Sequence, residues 1–374
     1  MLFNEVIGQK EIKKRLIEGV LENRVSHALL FSGPEGTGKL AMAIAYSQFL
    51  NCKNRSEFES CGECPSCKKY KKLIHPDLHF VFPVVKNPKF KDPVSDNFLD
   101  KWREQVLKNP YFNMNQWNKV LDVENAQGQI YVNESSEIIR KLNLKTFEAE
   151  YKVMIVWMAE RMNNTCANKL LKMIEEPPPK TLFILITESE HQLLSTIKSR
   201  TQLVKFSAID TESMIKALEG NPASMGKNLK GLAHLAKGNY ISALELISPD
   251  DQSTIYFEKF TSLMRISYKR DWMPLFDWVD ETAGMGREQQ KSFILYCMKM
   301  IRENFVMNIK EPDIVYVNEQ EKTFSDKFSP FINERNIQVF SEEFEKAYRD
   351  ISQNGNPRII FLDLSLKITK MIRA

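Results

Sequence analysis

The segment Gly33-Pro34-Glu35-Gly36-Thr37-Gly38-Lys39 constrains this chain more than any other stretch, because of what lies on either side of it. Upstream, His27-Ala28-Leu29-Leu30-Phe31 is a continuous apolar run, the form a strand takes when a parallel sheet buries both its faces. Downstream, a helix is predicted from about Lys39 to Leu50. Strand, glycine-rich loop and helix in that order fit the opening of the phosphate-loop pattern G-x-x-x-x-G-K. Gly33, Gly36 and Gly38 let backbone N–H groups curl around a phosphate, with Thr37 contributing to the same cradle. The helix N-terminus adds its dipole and Lys39 a point charge.

The pattern then fails where metal chemistry begins. The residue after the lysine is normally Ser or Thr, whose hydroxyl ligates magnesium. Here it is Leu40, which offers no oxygen. A second magnesium-associated group is expected as an acid at the tip of a later strand. The candidate run Val153-Met154-Ile155-Val156 delivers Trp157 and Met158 instead. Glu160 lies beyond that run and reads as an acid at a helix N-terminus. Two losses together describe a degenerate catalytic site.

The strand–helix rhythm returns downstream. Gln9–Asn23 has helical spacing, Lys152–Trp157 reads as a strand, and Asn163–Glu176 as a helix stopped by Pro177-Pro178-Pro179. Thr181–Thr187 is predicted as a strand, His191–Arg200 as a helix, and Gln202–Phe206 as a last strand. Such alternation means an α/β layer with a mostly parallel sheet. Residues 86–128 break the rhythm with Pro88, Pro93 and Pro110 among lysines, acids and aromatics; Trp102 and Trp117 make this too aromatic for disorder. It reads as a partly structured insertion. After Asp210 only helical periodicity remains, as in Ile294, Cys297, Met298 and Ile301. Asn354-Gly355-Asn356-Pro357 launches a final helix carrying Leu364, Ile368, Met371 and Ile372 on one face.

Cys52, Cys61, Cys64 and Cys67 fall within sixteen residues, whereas Cys166 and Cys297 stand alone. A tight cluster in a reducing compartment points to metal rather than disulfides. A closed tetrahedral zinc site fits the spacing; an iron–sulfur cluster and free thiols are its rivals. His75 and His79 read as structural, since four thiolates already fill a zinc ion. The basic run Lys68-Lys69-Tyr70-Lys71-Lys72 could touch phosphate, but such runs are usually solvated helix faces. Net charge is only +4, so composition announces no nucleic-acid binder. The N-terminus lacks a signal-peptide pattern and the longest apolar runs are too short for a bilayer. A cytoplasmic location without a membrane partner is therefore expected.

Phe3-Asn4-Glu5-Val6-Ile7-Gly8-Gln9, Gly33 to Lys39, the cysteine cluster, Ala167 through Pro178 and Ser199-Arg200 occur in an order that resembles the AAA+ subunits of the bacterial DNA polymerase III clamp loader. The resemblance covers about residues 1–206. It implies an α/β P-loop (AAA+) domain over 1–208, with a zinc knuckle at 52–67 and the insertion at 86–128. A small helical lid at 209–248 and an all-α collar at 249–374 would follow. It also implies a structural zinc on Cys52, Cys61, Cys64 and Cys67, and a loop that could hold ATP or ADP without hydrolysis. Within this family the hydrolysing gamma/tau type should carry Ser or Thr at position 40, acids near 157–158, and an arginine where Gly238-Asn239-Tyr240-Ile241 has Ile241. The departures favour the non-hydrolysing delta-prime type. Its partners would be gamma/tau-type ATPase subunits and a delta subunit, with the sliding clamp and primer-template DNA reached through the complex. Arg200 would then be an arginine finger offered in trans. An active gamma/tau ATPase, a stand-alone P-loop kinase and a zinc-bearing structural DNA-binding module are the rival readings.

Overall fold

The protein is described by a computed structural model covering residues 1–373 except 89, 124–127, 228, 248–250, 309–316 and 318; of 251–253 and 319 only the backbone is described. It forms two compact units, Met1–Leu244 and Glu245–Ala374.

In the first unit the apolar runs become β1 (Ala28–Ser32), β2 (Leu78–Val81), β3 (Lys152–Val156), β4 (Thr181–Thr187) and β5 (Gln202–Lys205). They form one parallel sheet in the order β2-β3-β4-β1-β5. Every residue of β1, β3 and β4 is buried, which is why those strands read as unbroken apolar runs. Because all strands run the same way, Ser32, Val156 and Thr187 end on one edge, where open α/β sheets place their ligands.

Helices α1 (Lys10–Leu21), α2 (Lys39–Leu50) and α3 (Pro65–Lys71) precede β2; α4 (Leu99–Lys108), α5 (Met114–Val120) and α6 (Val132–Asn143) lead to β3. Helix α7 (Asn164–Glu175) joins β3 to β4 and α8 (Ser195–Lys198) joins β4 to β5. Then come α9 (Thr211–Glu219), α10 (Leu229–Leu235) and α11 (Tyr240–Ile247), within which the unit boundary falls. The expected boundary at 248/249 lies outside the described residues.

Helix α2 matches its prediction at both ends, and all twelve of its residues are buried. The helix expected over His191–Arg200 is not continuous. A 3-10 turn at Glu190–Gln192 is followed by extended Leu193 and Leu194, leaving only α8 helical. Leu193 and Ile197 both enter the core beneath α7, so tertiary burial overrides the helical spacing of Leu193, Leu194 and Ile197.

The 86–128 insertion is built around α4 and α5, with Trp102 and Trp117 fully buried. Trp102 stacks on Phe82 at 4.2 Å, Trp117 meets both rings edge-on, and the Trp117 indole N–H donates to the Pro83 carbonyl at 2.8 Å. Its aromatic richness thus becomes a small core of its own.

The second unit comprises α12 (Asp251–Lys269), α13 (Trp272–Ala283), α14 (Arg287–Met307), α15 (Glu319–Phe328), α16 (Ile337–Ser352) and α17 (Pro357–Met371). Helix α14 packs on α16, and α17 on both α13 and α16. Phe260, Met264, Phe293, Cys297, Met300 and Phe361 fill the core, so the Met and Phe richness here is packing. Asn356 caps α17, accepting from the N–H of Arg358 at 3.0 Å with Pro357 at the first turn. Among the described residues no helix is long and apolar enough to cross a membrane.

Candidate nucleotide site and cysteine cluster

The phosphate loop leaves β1 and enters α2 with Gly36 and Gly38 at φ +71° and +85°, conformations that side-chain-bearing residues rarely adopt. The Gly33, Gly36 and Gly38 positions are all closely approached. A side chain at Gly33 would begin 2.4 Å from the Phe206 carbonyl. One at Gly36 would begin 1.8 Å from Asn239 Oδ1, and one at Gly38 2.9 Å from the Tyr111 hydroxyl.

Thr37 is buried and its hydroxyl donates to the Pro34 carbonyl at 2.8 Å. The Lys39 ammonium donates to the Gly33 and Pro34 carbonyls at 2.7 and 2.5 Å. Burial lowers its pKa, and the carboxylates of Glu188, Glu160 and Glu35 act against that shift. Gln9, held at φ 57°, latches the loop by donating to Thr37 O and Ser207 O at 3.2 and 2.7 Å. The motif around Gln9 carried the family resemblance; its mechanical role is visible only in three dimensions.

Leu40 is buried in α2 at 4% exposure, so no oxygen reaches the metal position from that residue. At the tip of β3, Trp157 lies 5.3 Å from Trp102 and 5.0 Å from Phe112, ring to ring. The place where a metal-associated acid is expected is committed to the insertion's aromatic core. Glu160 is not part of α7; it sits in a 3-10 turn and accepts the Glu188 N–H at 3.0 Å, bracing the exit of β4.

Two further residues near the loop escaped sequence reasoning. Tyr111, from the insertion, accepts the Ile7 N–H at 2.8 Å and meets Tyr240 edge-on at 5.0 Å. Asn239 lies over Gly36, donates to Glu35 at 3.3 Å, and caps the start of α11 by accepting from Ile241 N at 2.9 Å. Ile241 itself is buried at 3% exposure.

At the other end of α2, the Sγ atoms of Cys52, Cys61, Cys64 and Cys67 all lie within 4.8 Å of one another. The Cys52–Cys61 and Cys61–Cys67 sulfurs are 3.5 and 3.9 Å apart. Thiolates around one tetrahedral zinc at Zn–S ~2.3 Å stand about 3.8 Å apart, so the set fits a single ion. It is too tight for a cluster in which each iron takes its own cysteines. Backbone N–H groups aim at the sulfurs: Cys61 N at Cys52 Sγ and Cys64 N at Cys61 Sγ, both 3.3 Å, and Cys67 N at Cys64 Sγ, 3.5 Å. Such donors stabilise thiolate, and those from Cys64 and Glu63 bring Cys61 down to about 6.

His75 and His79 stay out of this cluster. His75 packs on Tyr70 with tilted rings 4.7 Å apart, and its Nε2 lies 3.3 Å from Glu148. Burial, then Lys141 and Lys152, push His79 down to about 4. In the basic run, Tyr70 is fully buried and Lys69 pairs with Glu148 at 2.5 Å, while Lys68, Lys71 and Lys72 face solvent. Arg200 follows α8 with its Nε donating to Glu175 at 2.9 Å and Nη1 to Thr196 O at 3.2 Å.

A family model described as DNA polymerase III, delta subunit, matches residues 8–210, more than half of the chain. The chain is 28% identical to the Bacillus subtilis delta' subunit of DNA polymerase III over 72% of its own length and 70% of that protein's. It is 24% identical to the Escherichia coli delta' subunit, covering 74% and 69% respectively. It is also 28% identical to the B. subtilis tau subunit over 66% of its length, but spans only 37% of that protein. A gamma subunit-related protein of Thermotoga maritima aligns over 98% of this chain and all of its own, with 16% identity and a TM-score of 0.46. With a phosphate loop on a parallel sheet, a cysteine cluster at the far end of the helix that follows it and a helical C-terminal unit, the chain belongs to the DNA polymerase III clamp-loader family.

Proposed function

We propose that this chain is the delta-prime-type subunit of a clamp loader, a stator that assembles with gamma/tau-type ATPase subunits and a delta subunit. In this reading it helps place the sliding clamp on primed DNA in the cytoplasm and turns over no ATP itself. The observation that carries it is the pair Leu40 and Trp157. Both are buried apolar side chains where a magnesium-handling site needs oxygen. The similarity to a tau subunit favours a hydrolysing role, and Leu40 opposes it. The cysteine set is read as a structural zinc knuckle that would pin residues 52–67 to the end of α2. The division into a P-loop core (1–208), a lid (209–248) and a collar (249–374) belongs to the same proposal.

Arg200 is assigned the one chemical role, an arginine finger for the neighbouring subunit's nucleotide. A permanently charged, planar guanidinium stabilises charge on a transferring phosphoryl group and can contribute ~10³–10⁵ in rate. Leaving Glu175 for that role costs little, because a half-exposed ion pair contributes at most about 1 kcal/mol. In a reconstituted loader, Arg200→Ala should leave assembly near normal, slow hydrolysis at one ATPase site and impair clamp loading. Arg200→Lys should rescue poorly, since ammonium lacks the fork. Unchanged ATP turnover and loading would reduce Arg200 to its ion pair with Glu175.

A further inference from the structure

We propose that the inserted segment 86–128 carries a built-in occupant of the nucleotide cleft, Tyr111, and that this occupancy is what closes the phosphate loop to nucleotide. The inference rests on the reading of Gly33–Lys39 as a non-hydrolysing phosphate loop and adds the cause of its closure.

The cradle is intact in its backbone. Gly36 and Gly38 keep their positive φ, Lys39 lies buried at the start of α2, and the loop still leads from a central strand into a helix N-terminus. The space over that cradle, however, is filled. The Tyr111 hydroxyl, Cε1 and Cζ lie 2.9, 3.0 and 3.3 Å from where a Gly38 side chain would start. The same hydroxyl takes the Ile7 N–H, and the ring packs on Tyr240. One side chain therefore joins the N-terminal segment, the phosphate loop and the start of α11. It is 6% exposed, and burial raises its phenol pKa, so it stays neutral there.

Asn239 completes the cover over Gly36, and the Gly36 carbonyl accepts the Tyr240 N–H at 3.1 Å. A phosphate approaching the loop amides would meet Asn239, and the rest of a nucleotide would meet Tyr111.

The insertion is built to hold this tyrosine. Residues 109–113 form an irregular link between α4 and α5. Asn109 accepts the Tyr111 N–H at 2.9 Å, and Asn113 caps α5 by accepting from Gln116 N at 3.0 Å. Phe112, the next residue, packs on Trp102 and Trp157. Adjacent aromatics of one link thus cover the loop with Tyr111 and the strand tip with Phe112.

The test is equilibrium binding of ATP, read by displacement of a fluorescent ATP analogue and by the ligand-induced rise in Tm, on the full chain. Wild type should show no saturable binding at millimolar ATP. Tyr111→Ala should bind at least about tenfold more tightly, and adding Lys39→Ala should abolish the gain. Tyr111→Leu keeps apolar filling while removing the ring, and should show a smaller gain if the alanine variant unfolds. Tyr111→Phe keeps the ring and should stay closed. The opened variants should bind without turnover, because Leu40 and Trp157 are unchanged. Folded Tyr111→Ala and Tyr111→Leu that remain unable to bind, or wild type that binds as well as they do, would overturn the occupant. ATP turnover by wild type would instead overturn the non-hydrolysing reading beneath it.

Discussion

Helix α2 joins two sites of opposite character. At its N-terminus the phosphate loop is satisfied by the chain itself: Lys39 and Thr37 bond to loop carbonyls, and Tyr111 and Asn239 cover the glycines. At its C-terminus four thiols converge with backbone N–H groups aimed at their sulfurs, and Cys166 and Cys297, the remaining cysteines, are buried elsewhere. One end is covered by the chain's own side chains; the other presents a donor set with the spacing of a metal site. A loop can lose its cofactor and persist when packing replaces it. Four thiols this close, with backbone N–H groups aimed at three of their sulfurs, form a set that could hold one metal ion.

The comparison predicts unequal responses, the largest at the cysteine end. Protein purified without chelator should carry one zinc per chain. Cys64→Ser should lose it and make residues 52–72 labile to proteolysis, while the rest of the first unit stays folded. Zinc-finger peptides gain ~10–16 kcal/mol from the ion, so a loss of several kcal/mol locally is in scale. Iron in place of zinc, or metal content unchanged in Cys64→Ser, would break this half of the comparison.

At the phosphate end the packing should be costly to remove. Trp157→Ala should destabilise the first unit by about 3–5 kcal/mol, the range for a fully packed aromatic, and urea unfolding would measure it. A loss below about 1 kcal/mol would mean the strand tip is not the core position argued above.

A smaller effect comes from the clasp holding the insertion in place. Glu134, buried in α6, accepts the Ser95 N–H at 2.7 Å with one carboxylate oxygen, and the other has no hydrogen-bond partner among the described residues. Burial, against the Ser95 bonds and Lys141, raises its pKa from 4.5 to about 7. Between those values the folded chain holds a proton that the unfolded chain has lost, so this group's contribution to stability falls as pH rises. Glu134→Gln should therefore stabilise the protein by up to ~3 kcal/mol at about pH 8 and by little near pH 4. Thermal melts across that range would show it; a pH-independent difference would contradict it.

Legibility in the sequence followed the range of the interactions. Helix α2, β1 and β4 were readable because their signals are local and continuous. Strand β2 was missed: Leu78-His79-Phe80-Val81 is short and carries a histidine, and only its pairing with β3 makes it a strand. Helix α6 was missed as well, with Glu134 among its buried residues where a charge-based reading expects solvent. The cysteine site was legible in spacing alone. The filled phosphate loop was legible only in what it lacked. Leu40, Trp157 and Ile241 could be seen as departures, but Tyr111 and Asn239 carry no local signal, and their contacts reach across 104 and 204 residues.

The most direct measurement is steady-state ATP turnover by the purified chain with magnesium, sliding clamp and primed DNA. The account predicts no hydrolysis above background, and no change on Lys39→Ala, because no oxygen stands at position 40 or 157 to hold the metal. DNA-stimulated turnover that Lys39→Ala abolishes would contradict it.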